Sequence, residues 1–266
     1  MSTAAALTPI GWRDRTVNIE TRWISPQRVS APLVVFLHEG LGSVAMWKDF
    51  PQQLCDAGGF RGLVFSRPGY GQSTPRATDE AWGVDFMHRQ AHEVLPALLD
   101  ALGITEAPWL FGHSDGASIA LLYAACFAQR VRGLVLLAPH ILVEAVTVQN
   151  IELARQAYLA TDLPQKLGRY HDDPDSAFWG WNRIWLDPAF RAWSIEEEIA
   201  AITAPVLAIQ GLNDEYGTLA QIRGIAQRVP GARLVELPDC AHSPHRDAPQ
   251  RVIAETVGFI TTAQRL

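Results

Sequence analysis

Cysteine is scarce in this chain: Cys55, Cys126 and Cys240 are its only three in 266 residues, widely spaced and without a C-x-x-C pair. A disulfide scaffold is therefore excluded, and the usage fits a reduced, intracellular compartment. Positive charge is not in excess either, since 22 Lys and Arg stand against 28 Asp and Glu for a net charge of −6. That balance argues against a surface that coats nucleic acid or an anionic membrane. No run reaches about 18 consecutive apolar residues, the length a membrane-spanning helix needs. The opening MSTAAALTPIGWRDR has no basic start, and its apolar run is too short for a signal peptide. Repeats and low-complexity stretches are missing, and GYGQS lacks the G-x-G-x-x-G spacing of a dinucleotide site. The expectation is a cytoplasmic protein with neither a nucleic-acid nor a membrane partner. The sequence leaves its oligomeric state open.

What the chain does have is apolar content, 48% of it, and nine tryptophans. A chain of this length can bury roughly 70–75% of its unfolded surface without staples, as one large domain or one domain carrying an insertion. Six short apolar runs recur: Leu33–Leu37, Gly62–Phe65, Pro108–Phe111, Val131–Ala138, Pro205–Gln210 and Ala232–Leu237. They do not alternate, which is how strands buried on both faces of a parallel sheet read. Helical spacing fills the intervals at Trp47–Ala57, Asp85–Leu102, Ser114–Gln129, Thr218–Val229 and Ala248–Thr262. Thr16–Ile24 alternates instead and predicts an antiparallel hairpin strand at the sheet edge. The order predicts an α/β fold, a mostly parallel, doubly wound sheet with helices on both faces. From 140 to 201 the rhythm breaks: strand signals vanish and helical pattern is punctuated by Pro164, Pro174 and Pro188. Sixty residues are too many for a bare loop. This stretch is expected to be an inserted helical cap on a core made of 1–139 and 202–266.

The sharpest chemical signal is Gly112-His113-Ser114-Asp115-Gly116, a G-x-S-x-G sequence between the apolar run PWLF and a helical pattern. A serine on such a strand-to-helix turn has strained backbone angles, and flanking glycines let neighbouring backbone come close. Its hydroxyl sits at the positive end of a helix, where a developing oxyanion is stabilised. A nucleophilic serine needs a base, and the base an orienting acid. The run PVLAIQ ends in Gly211-Leu212-Asn213-Asp214-Glu215, and ARLVEL ends in Pro238-Asp239-Cys240-Ala241-His242. Asp214, with Glu215 as an adjacent competitor, and His242, with His245 as a competitor, thus fall beyond the C-terminal ends of strands, where open α/β sheets bind ligands. An oxyanion hole needs two backbone N–H groups: one from Asp115, the other from Gly40 or Leu41 in His38-Glu39-Gly40-Leu41-Gly42-Ser43.

The ordered segments HEGLGS, SRPGYGQS, GHSDGA, GLNDEYGT and CAHSPHRDAP resemble the α/β-hydrolase fold superfamily, from about Val17 to Phe259. The resemblance implies Ser114 as nucleophile, Asp214 as acid and His242 as base. His242-x-x-x-x-Asp247-x-Pro249 is similar to the pattern that follows the catalytic histidine in many members, which favours His242 over His245. Two departures stand out. Ser66 replaces the acid that usually opens the D-x-x-G-x-G-x-S segment, and Glu39 follows His38 where many relatives have glycine. A glutamate pointing into an oxyanion hole would oppose the developing charge, so Glu39 is expected to turn away and be hydrogen-bonded, or to bind a polar substrate group.

Trp179, Trp181, Trp185 and Trp193 cluster in the expected cap, where they suit an apolar ceiling over a substrate. His140, at the cap entrance, is a further candidate for the pocket lining. His88 and His92 share a helix face but lack a third ligand nearby, so no metal site is expected. The resulting expectation is a serine hydrolase acting on a small-molecule carboxylic ester, lactone or thioester with an apolar portion, through an acyl-enzyme and without cofactor or metal. Rival readings are a hydrolase of a carbon–carbon bond in a ring-cleavage product, a cofactor-free lyase or oxygenase, and a non-catalytic ligand receptor.

Overall fold

Every residue of the run LVVFL is buried, and the computed structural model shows why the run does not alternate. Val34 and Phe36 enter one apolar core while Leu33, Val35 and Leu37 enter a second on the opposite face of the sheet. With both faces covered, side chains on either side of the pleat must be apolar. The structure describes residues 2–77 and 80–264.

In chain order the elements are β1 (Ala6–Trp12), β2 (Arg15–Ile24), β3 (Leu33–Leu37), α1 (Phe50–Gly58) and β4 (Arg61–Phe65). Then come α2 (Phe86–Arg89), a π-helical segment (Gln90–Val94), α3 (Leu95–Ala101), β5 (Trp109–His113), α4 (Asp115–Cys126) and β6 (Gly133–Leu137). After these follow α5 (Ala145–Ala160), α6 (Leu163–Leu167), α7 (Pro174–Leu186), β7 (Val206–Gly211), α8 (Ala220–Arg228), β8 (Arg233–Leu237), α9 (Pro244–Asp247) and α10 (Pro249–Ala263). The eight strands form one sheet in the order β1-β2-β4-β3-β5-β6-β7-β8. Strands β3 to β8 run parallel to one another, and β1 and β2 pair antiparallel. Helices α1 and α10 cover one face, and α2, α3, α4 and α8 the other. The predicted doubly wound α/β sheet is the fold observed.

Two expectations need correction. The strand predicted at Thr16–Ile24 is not at the edge, because β1 pairs outside it from Ala6↔Thr21 to Trp12↔Arg15. The connecting turn holds Arg13 and Asp14 at positive φ, 50° and 58°, a conformation that tight hairpins usually announce with Asn or Gly. The helix predicted over 85–102 is interrupted by the π-helical segment at Gln90–Val94. Pro96 has no N–H to offer the carbonyl of His92, so the regular ladder cannot continue there.

Between β6 and β7 the chain forms α5, α6 and α7 and two short 3-10 turns, with no strand among the described residues. Helix α7 starts where Asp173 accepts from the Ser176 N–H at 2.8 Å and Pro174 occupies the first turn, a sequence-encoded start. Its Phe178, Trp181 and Trp185 are spaced by three and four and share one buried face. Among the described residues no helix is long and apolar enough to cross a membrane.

Candidate active site

Ser114 sits between β5 and α4 with φ 52° and ψ −120°, a strained backbone for a non-glycine residue. The turn is possible because its flanking glycines leave no room for a side chain. A Cβ on Gly112 would lie 2.6 Å from the Ala117 nitrogen, and one on Gly116 2.6 Å from the His38 carbonyl oxygen. The G-x-S-x-G spacing is thus a packing requirement: Gly112 seats the first turn of α4 on β5, and Gly116 seats it on the end of β3. The Asp115 N–H is the first of α4, and no acceptor meets it among the described residues.

The loops after β7 and β8 bring Asp214 and His242 to this turn. His242 Nδ1 lies 2.8 Å from Asp214 Oδ1, and Nε2 lies 3.0 Å from Ser114 Oγ. A carboxylate only accepts, so Nδ1 carries the proton and Nε2 is free to accept from the serine hydroxyl. Asp214 is itself held by the N–H groups of Tyr216 (2.8 Å) and Gly217 (3.2 Å) and by Gln210 Nε2 (3.0 Å). Burial works to raise its pKa, but His242 and the Tyr216 N–H outweigh this and hold it below the usual carboxylate value. Of the competitors, the Glu215 carboxylate accepts the His242 backbone N–H, at 3.2 Å, and not its ring. His245 is buried against Trp47 and Phe50 instead. Asp247 accepts from the Ala241 N–H at 2.8 Å and ties down the loop that carries His242, the physical content of the H-x-x-x-x-D spacing.

Above Ser114 lies a cavity of roughly 120 Å³, lined by Leu41, His140, Thr147, Ile151, Trp181, Trp185 and Tyr216 beside Glu39, Gly40 and Asp115. Trp181 and Trp185, one turn apart on α7, form its roof. Trp179 does not reach it: two residues from Trp181, it points across the helix and packs on Tyr158 and Phe178. Trp185 donates from Nε1 to Asp115 Oδ1 at 3.2 Å. Thr147, Ile151 and Tyr216 were not anticipated, and only Tyr216, two residues past Asp214, left a positional hint. His140 is buried, and burial together with His242 pushes its pKa down to about 3, so it lines the cavity as a neutral ring.

Glu39 turns its carboxylate toward His113 Nδ1 (3.5 Å) and Arg246 (4.0 Å). Burial would raise its pKa, but His113 beside it prevails and keeps it well below the usual range. The missing acid at Ser66 is also accounted for. Ser66 Oγ donates to Glu20 Oε2 at 2.6 Å and accepts from the Val44 N–H at 2.9 Å. Glu20 of β2 thus supplies the turn after β4 with a carboxylate. His88 and His92 lie edge to face, 5.9 Å between ring centres. Among the described residues no group of three or more His, Cys, Asp or Glu is placed to hold a metal ion.

Comparison with known proteins agrees with this architecture. The family model described as "alpha/beta hydrolase fold" matches residues 32–184. A rhodomycin D methylesterase of Streptomyces sp. (strain C5) is 46% identical over 46 residues, 17% of this chain and only 15% of that protein. Among solved structures, a thermophilic esterase from Thermogutta terrifontis superposes with TM-score 0.72 at 18% identity, covering 98% of this chain and 99% of that one. An enol-lactonase from Burkholderia xenovorans LB400 gives TM-score 0.70 at 23% identity, covering 92% and 97%. At these identities the likeness of the two structures is one of fold.

Proposed function

The chain belongs to the alpha/beta hydrolase fold family, and from that membership we propose that it is a serine hydrolase cleaving small carboxylic esters, lactones or thioesters through an acyl-enzyme. Ser114 Oγ attacks the carbonyl carbon as its proton passes to His242 Nε2, and Asp214 holds the imidazole in the required tautomer. The oxyanion is received by the Asp115 N–H and by an N–H of the Gly40–Leu41 turn. The tetrahedral adduct then expels the alcohol or thiol, which takes the proton from His242. Water, deprotonated by the same ring, hydrolyses the acyl-enzyme and frees Ser114. No step calls for a cofactor or metal.

The observation that carries this reading is the unbroken chain Asp214–His242–Ser114, at 2.8 and 3.0 Å, ending at the floor of the cavity. The cavity supports the substrate class. A dry apolar cavity of about 150 Å³ takes a benzene ring, so roughly 120 Å³ suits an apolar portion no larger than one ring or a short branched chain. We read 140–201 as a cap on a core of 1–139 and 202–266, because Trp181 and Trp185 from this stretch roof the cavity. Ester and enol-lactone cleavage in the relatives' names agree with this chemistry.

The test is a panel of p-nitrophenyl esters, thioesters and lactones assayed with the parent and with Ser114→Ala, alongside labelling by a fluorophosphonate. Turnover that falls by several orders of magnitude, with labelling abolished, supports the reading. Retention of more than about a tenth of the activity would falsify it.

A further inference from the structure

The Glu39 carbonyl oxygen, in the same peptide unit as the Gly40 N–H, is gripped by three donors. His38 Nδ1 reaches it at 2.7 Å, Arg67 Nη2 at 2.8 Å and the Gly42 N–H at 3.1 Å. The protonation of His38 follows from its neighbours. Its Nδ1 faces a carbonyl and must donate, while its Nε2 accepts the Arg67 backbone N–H at 2.9 Å. Arg67 is 1% exposed, an unusual place for a guanidinium. It lies over the Tyr70 ring at 4.6 Å, and its Nη2 lies 3.7 Å from Asp115 Oδ2, within the residue that follows the nucleophile. One buried side chain therefore touches both segments that border the oxyanion position.

In a trans peptide the C=O and N–H point in opposite directions. With the Glu39 oxygen fixed behind the turn against Arg67 and His38, the Gly40 N–H is directed away from them, toward the cavity that Gly40 lines. Three donors on the oxygen also polarise the peptide and strengthen its N–H as a donor. No acceptor for that N–H occurs among the described residues. We propose that Arg67 is a positioning residue for the oxyanion hole: by holding the Glu39 carbonyl it aims the Gly40 N–H, rather than that of Leu41, at the oxyanion. The proposal rests on the acyl-transfer reading above. It gives the buried cation a function and explains how a glutamate is tolerated beside the hole, since residue 39 contributes its carbonyl here while its carboxylate faces His113.

The test uses Arg67→Gln, Arg67→Lys and the double variant Arg67→Gln/Asp115→Asn. The double variant is compared with Asp115→Asn alone, so that no buried carboxylate is left without its cation. Each is assayed for kcat and KM on p-nitrophenyl butyrate, with active sites counted by a fluorophosphonate, and for inhibition by an alkyl trifluoromethyl ketone, whose serine adduct carries the oxyanion. Per active site, loss of Arg67 should lower kcat about 10- to 100-fold and weaken the ketone by a similar factor. KM should move less than about threefold, and Arg67→Lys should recover part of the loss. A change in kcat and ketone affinity below about twofold, or a rise in KM alone, overturns the proposal. A second measurement needs no variant: in the parent, adduct formation should shift the Gly40 amide proton downfield by more than that of Leu41, and the reverse order overturns it as well. A parent that resists fluorophosphonate and cleaves no ester overturns the acyl-transfer reading instead, and the proposal with it.

Discussion

Gly116→Ala tests whether the turn around Ser114 is set by packing. The added Cβ would lie 2.6 Å from the His38 carbonyl oxygen and closer still to that of Leu37, both of them backbone at the end of β3. Ordinary contact is about 3.5 Å, so α4 and β3 must separate by roughly 1 Å. Overpacking of this kind costs about 1–3 kcal/mol. In a domain of this size that lowers Tm by about 2–12 °C. The same separation pulls the Asp115 N–H and Ser114 away from the Gly40 turn, and a misplacement of about 1 Å at a reacting centre costs about 100-fold in rate. The assay is a thermal melt together with kcat on a p-nitrophenyl ester, corrected for active sites. Gly258→Ala in α10 is the control, because a Cβ there meets nothing within 4 Å and should raise stability slightly. A Gly116→Ala protein that melts within about 1 °C of the parent and turns over within twofold refutes the reasoning.

Asp214→Asn should lower kcat by about 10⁴, by leaving His242 in the wrong tautomer, whereas Glu215→Gln should change it less than about threefold; equal losses would reverse the assignment of the acid. Trp181→Ala should raise the ratio of octanoate to acetate ester turnover at least about tenfold by opening the roof, and Trp179→Ala should leave that ratio unchanged; a shift from Trp179→Ala alone would place the substrate elsewhere. His38, His140 and His245 are buried with pKa values below the ordinary 6.5, that of His140 at about 3. Their unfolded forms bind protons first, so their contribution to stability is intact above pH 6.5 and is lost as pH falls toward 3, by up to about 1.4 kcal/mol per pH unit for each ring. Urea midpoints measured from pH 8 to pH 4 should fall with a shallower slope in His245→Asn than in the parent, and parallel slopes would show that burial does not hold this ring neutral.

The parallel strands were legible because burial on both faces leaves an unmistakable run such as LVVFL or GLVLL. The Ser114 turn was legible because only glycine fits on either side of it, and the candidate acid and base because each follows its strand directly. What escaped notice lacked a local signature. Arg13 and Asp14 form a tight hairpin turn without the residues that usually mark one, so β1 went unseen. Pro96 disturbs its helix one turn earlier than its own position. Trp179 and Trp181 look alike in sequence, and only the 200° between them on α7 separates a residue on the roof from one behind it. The replacement of an acid at 66 by Ser66 and Glu20 joins residues 46 apart in the chain, a pairing created by the β2–β4 register. Arg67 read as part of a turn motif, because its partners come from elsewhere in the chain, Glu39 from the turn after β3 and Asp115 from the start of α4.

A Cβ on Gly40 would overlap the Trp181 indole, so the ceiling of the cavity rests on the Gly40–Leu41 turn. With that turn receiving the oxyanion as proposed, selection on substrate size and selection on rate meet at a single contact. A lineage that trims Trp181 to admit a bulkier substrate also loosens the peptide beneath it, and compensation at residue 40 requires a side chain that fills the gap without turning the N–H away. Changes of substrate in this scaffold should thus come in pairs, one on α7 and one in the turn after β3, and laboratory evolution toward larger esters that varies only the roof should stall at slow catalysts.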